Sequence, residues 1–233
     1  NNATLTLATP GAAGSLRANE DIVVDTTAPT TSYFQRRTPV TNPTGSDTLQ
    51  FEVDFSESIG GPGTIGTNDF VLTGTTATVT GVGLVNFSNG TYSLDVSGGD
   101  LANLNGVVGL NFSLTMSITD QAGNPVANVE PSTDETYTMD NSAPTVTINQ
   151  AAGQNDPTGD TLIDFTVVFS EAVTDFDDAA DVTITGTAVA TTVLITGGPI
   201  TYNVAVSGMV GNGTVIANIP AGAATDSTNL SAA

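Results

Sequence analysis

Four blocks of this chain occur twice, in the same order and at nearly constant spacing. DTTAPT at residues 25–30 returns as DNSAPT at 140–145, an offset of 115. The match reaches backward, with EDIVVD at 20–25 lying over ETYTMD at 135–140. PTGSDTLQFEVDFSE at 43–57 lies without a gap over PTGDTLIDFTVVFSE at 157–171, an offset of 114. DFVLTGT at 69–75 then matches DVTITGT at 181–187, and YSLDVSG at 92–98 matches YNVAVSG at 202–208. Collinear blocks of this kind mean duplication, so each copy must form the same supersecondary unit. At 233 residues the chain has room for two units, each able to bury its own core.

The blocks carry strand periodicity. Leu49, Phe51, Val53 and Phe55 alternate with polar residues, as do Ile163, Phe165, Val167 and Phe169. Period-two alternation puts one face of a strand on a core. Tyr92, Leu94 and Val96 repeat the pattern, as do Tyr202, Val204 and Val206, and the run Leu110, Phe112, Leu114, Met116, Ile118 reads as a further strand. Gly- and Pro-rich clusters at 42–46, 60–63, 98–100 and 197–199 separate the runs. No segment holds a helical period. About seven short strands per unit describe an all-β chain of two tandem immunoglobulin-like β-sandwiches. Both triplets of inward residues, Phe51, Val53, Phe55 and Phe165, Val167, Phe169, are expected in cores, and Phe165→Ala is expected to unfold a large fraction of the second unit.

The expected boundaries are residues 1–26, 27–142 and 143–233. The first segment resembles the last two strands of a preceding repeat, around 3–8 and 20–25. The last unit has no counterpart of residues 135–140 after Asn229, so it lacks a final strand. The segment around Ile22, Val23 and Val24 is therefore a candidate donor strand for the open unit of a neighbouring copy. A segment cut from a longer array is the other reading of the same asymmetry.

Composition narrows the chemistry. The chain has no Cys and no His, and its only basic residues are Arg17, Arg36 and Arg37, against 24 acids, for a formal charge of −21. No Ser–His pair, Cys nucleophile or Schiff-base lysine can be assembled, so an enzyme is not expected. Nucleic acid and anionic membrane need a basic footprint that is absent, and no apolar run is long enough for insertion into a bilayer. Self-repulsion of this size favours bound or screening cations.

The Ala-Pro-Thr after an acidic residue, the Phe-Ser-Glu closing a strand, the DVTITGT block and DQAGN at 120–124 resemble the bacterial Ig-like tandem repeats of giant extracellular adhesins and surface filament proteins. The resemblance is close over 143–233 and looser over 26–142. It implies a cell-surface array module, partnered head-to-tail by other copies of itself, with no catalytic activity. Adhesin spacer, surface-layer (S-layer) component and filament subunit all fit that pattern. A carbohydrate-binding module fits less well, because aromatic residues are few and fall on core positions.

Recurrent acids lie at strand ends and linkers: Glu57 and Glu171, Asp120 and Asp226, Asp25 and Asp140. Hard oxygen ligands of this kind suit Ca2+. Glu57, Asp120, Asn124 and Asp140 are expected to meet at the junction between repeats, with Glu171, Asp226 and Asn229 as the equivalent set at the next. Solvated strand-end acids and turn formers are the alternative reading.

Overall fold

The computed structural model describes residues 9, 11–13, 15, 23–60, 64–86, 90–228 and 232. The strands expected around residues 3–8 and at Ile22, and the candidate ligand Asn229, lie outside the described residues. Residues 23–30 belong to no strand. The chain is an all-β sandwich protein whose described helices are single 3-10 turns of three residues, at Thr67–Asp69, Leu101–Asn103 and Ala179–Asp181. No helix among the described residues is long and apolar enough to cross a membrane.

Eight strands fall in the first repeat: β1 (Thr31–Thr38), β2 (Thr48–Phe55), β3 (Phe70–Thr73), β4 (Thr78–Asn86), β5 (Thr91–Ser97), β6 (Gly106–Phe112), β7 (Thr133–Asp134) and β8 (Tyr137–Met139). One sheet runs β4-β5-β2-β1-β7 and the other β3-β6-β8. Between them Leu49, Phe51, Val53 and Phe55 of β2 are buried on one face, as their alternation dictates, along with Phe34, Phe112 and Tyr137. The ring of Phe51 meets Tyr137 edge-on at 5.1 Å between centroids, and Phe34 meets Phe112 at 5.0 Å.

The second repeat contributes β9 (Val146–Gln150), β10 (Leu162–Phe169), β11 (Thr183–Thr185), β12 (Thr192–Gly197), β13 (Thr201–Ser207) and β14 (Ile216–Asn218). Its sheets run β12-β13-β10-β9 and β11-β14. A separate core forms around Val167, Phe169, Phe176, Tyr202, Val204 and Val206, with Phe169, Phe176 and Tyr202 packed edge-to-face. Phe165 is only half-buried here, unlike its counterpart Phe51. The physical cause is a missing cover: β8 lies over Phe51, and among the described residues β14 pairs with β11 alone. Phe165→Ala therefore costs less than full burial implied.

The run from Leu110 to Ile118 is not one strand. β6 stops at Phe112, and Leu114 is 97% exposed. Buried Asp69 redirects the chain. Its carbonyl accepts the Ser113 N–H, and its carboxylate accepts the N–H of Ser117 and of Gly66. A buried carboxylate must be satisfied, and this one is satisfied by bending the following segment. The basic pair is also placed: Arg37 meets Glu52 at 2.7 Å and Arg36 meets Glu135 at 3.6 Å, both within the first repeat. Part-exposed pairs like these contribute about 0–1 kcal/mol each.

Candidate functional site

Each repeat is entered through an Ala-Pro-Thr segment that the sandwich clamps in the same way. In the first, the Thr30 carbonyl accepts the Ser56 N–H at 2.8 Å, and the Thr30 N–H donates to Ser56 Oγ at 3.0 Å. In the second, the Thr145 carbonyl accepts the Ser170 N–H, and the Thr145 N–H donates to Ser170 Oγ, both at 2.9 Å. Each Ser precedes the strand-end glutamate, Glu57 or Glu171. The clamp thus fixes the linker acid five residues upstream, Asp25 or Asp140, beside that glutamate.

A third acid arrives from the loop after the core strands. Ile59 bridges to Asp120 and Thr174 to Thr225, pinning the loop at the same pole. The result is two equivalent clusters, Asp25–Glu57–Asp120 and Asp140–Glu171–Asp226, each with one carboxylate oxygen per residue within 4.8 Å of the others. Asp120 and Asp226 are buried, at 4% and 3% exposure. Asp120 accepts both the backbone N–H and the side-chain amide of Asn124 at 2.8 Å, and the same amide donates to the Asp25 carbonyl at 3.2 Å. Asn124 is thereby a positioning residue that ties the linker to the loop. In the second cluster, Asp226 accepts the N–H and hydroxyl of Thr228 at 2.7 and 2.8 Å.

The grouping differs from the sequence expectation. Asp140 joins Glu171 and Asp226, not Glu57 and Asp120, and Asp25 holds the corresponding place in the first cluster. The clamp is the reason, because it turns each linker acid toward the repeat that follows. The signal for Asp25 was present in the offset of 115 that it shares with Asp140.

Electrostatics follow from crowding. Glu57 and Glu171 hold their protons above the usual glutamate range, first through burial and then through the neighbouring acids, Asp25 and Asp120 for one, Asp140 and Asp226 for the other. Burial also pushes the Asp120 carboxyl up, but the Asn124 side chain and the backbone N–H groups of 122–124 outweigh it and hold it below the usual range. A carboxyl that binds its proton more tightly in the folded chain favours the fold at acid pH. That contribution fades as pH rises through the raised pKa, leaving repulsion unrelieved at neutrality. A cation would relieve it. Oxygens bound to one Ca2+ at about 2.4 Å lie at most ~4.8 Å apart, so the two clusters fit the ion's dimensions, and their donor chemistry is the hard oxygen set it takes.

No protein-family model and no curated protein sequence matches this chain.

Proposed function

We propose that this chain is an extracellular structural module, two immunoglobulin-like repeats of a head-to-tail array at a cell surface or in a filament, with calcium bracing each linker. One observation carries the reading. The Asp140 N–H donates to the Thr44 carbonyl of the first repeat at 3.0 Å, while its carboxylate joins Glu171 and Asp226 of the second. An ion held there would couple two sandwiches through a single residue. Neighbouring contacts tighten the same junction: the Asn141 side chain donates to the carbonyls of Leu101 and Leu104, and its N–H donates to Asn105 Oδ1. The charge of −21 suits a cation-rich exterior. A spacer in a longer adhesin would use the same device.

Melting scans in calcium and in chelator test it. Saturation at a hundredfold excess over Kd stabilises by about 2.7 kcal/mol. For a unit of this size each kcal/mol moves Tm by about 4–8 °C, so a shift of roughly 10–20 °C is expected at neutral pH. The gap should narrow on acidification, as protons compete for Glu57 and Glu171. Superimposable curves in calcium and chelator at neutral pH would remove the cation from the account.

A further inference from the structure

Among the described residues, the second repeat has no counterpart of β8, and that difference has a shape. In the first, β8 pairs antiparallel with β6, Tyr137 opposite Val108, Thr138 opposite Val107 and Met139 opposite Gly106. Its other side is held by the loop before β2: the Thr44 N–H donates to the Thr138 carbonyl at 3.0 Å, and the Thr138 N–H donates to Asn42 Oδ1 at 2.6 Å. Tyr137 is fully buried against Phe51, and its hydroxyl donates to the Gln50 carbonyl at 2.8 Å.

Every surface that β8 touches has a counterpart in the second repeat. The pairings of β3 with β6 and of β11 with β14 place Gly213, Thr214 and Val215 at the positions of Gly106, Val107 and Val108. Phe165 stands for Phe51 and Thr158 for Thr44 in the ungapped block match. Phe165, Thr158, Gly213, Thr214 and Val215, together with Ile163, line a groove of about 250 Å³. An unpaired strand edge beside part-exposed core side chains is a template for strand addition.

We propose that this groove is a strand-acceptor site, and that its occupant is the 20–25 segment of a second copy of this chain. The inference rests on the array reading above. The segment EDIVVD is the repeat counterpart of ETYTMD, which contains β8. In its own copy it offers Val23 and Val24 at 88% and 79% exposure, without strand pairing. The register of β8 carried over sets Val23 opposite Thr214 and Val24, facing inward as Met139 does, opposite Gly213. Asp25 follows and enters the acid cluster of its own first repeat, as Asp140 follows β8 into the cluster of the second. The contact is head-to-tail and does not close on itself, so repetition of it builds a filament.

The chain has no cysteine, which makes the register directly testable. Full-length Val23→Cys is mixed under mild oxidation with full-length Thr214→Cys, or with Thr192→Cys on the far edge strand β12. The proposal expects a disulfide-linked species at twice the 23.4 kDa chain mass with Thr214→Cys and not with Thr192→Cys. Adding Val24→Asp to the Val23→Cys chain should remove it without altering the melting of either partner. No linked species, or equal linkage to both partners, overturns strand donation. Chelator-sensitive melting in those same proteins would show that the cation-braced array reading survives that failure. If the Thr214→Cys chain melts abnormally, sedimentation decides. The parent should form calcium-tolerant multimers that Val24→Asp dissolves, and a monomeric parent at high concentration overturns the proposal.

Discussion

Phe51→Ala is expected to unfold most of the first repeat at temperatures where the parent is folded. Phe51 is fully buried at the centre of β2 and meets Tyr137 edge-on. Truncating a buried Phe costs about 3–5 kcal/mol, because the lost transfer energy adds to the cavity left behind. A single domain has only about 5–15 kcal/mol in total. The cavity here opens against β8, a three-residue strand, so the loss reaches the segment that leads into the linker. Phe165→Ala, at the equivalent place in the second repeat, should cost clearly less, since Phe165 is half-buried. Two-transition melting scans compare them. Equal losses would mean that Phe165 is as well covered as Phe51.

Replacing Gly74 or Gly186 by Ala is the other large effect. Both stand at the centre of the repeated Thr-Gly-Thr and both have positive φ, +75° and +114°. A Cβ at Gly74 would collide with the Val107 carbonyl oxygen, and one at Gly186 with that of Thr214. Backbone oxygens cannot step aside as a side-chain tip can. The left-handed conformation alone costs an alanine about 1–2 kcal/mol, and relieving the clash would break the pairing of β3 with β6 or of β11 with β14. We expect each substitution to destabilise its own repeat by about 3 kcal/mol or more and to leave the other transition in place. Chemical denaturation followed domain by domain checks this; a variant with an unchanged midpoint would contradict the backbone approach described here.

Much of the fold was legible because its signal is periodic and occurs twice. The alternation in β2 and β10 marked the inward faces. Two things escaped. The strand past Phe112 was misread because Leu114 and Met116 continue the alternation, while the residue that ends it, Asp69, lies far away in sequence and acts through hydrogen bonds. The acids were recognised, but their grouping depends on which way a linker turns. That is decided by two hydrogen bonds between Thr145 and Ser170, and pattern reading does not see them.

Counting bound ions tests the central claim most directly. Calorimetric titration of the full chain with calcium should give two ions per chain, one for each of the two carboxylate clusters. Glu171→Gln keeps the side chain's size and removes one anionic ligand from the second cluster alone. That variant should bind one ion in the same concentration range, with the first cluster intact. Absence of binding at millimolar calcium, or two ions still bound by Glu171→Gln, would contradict the account.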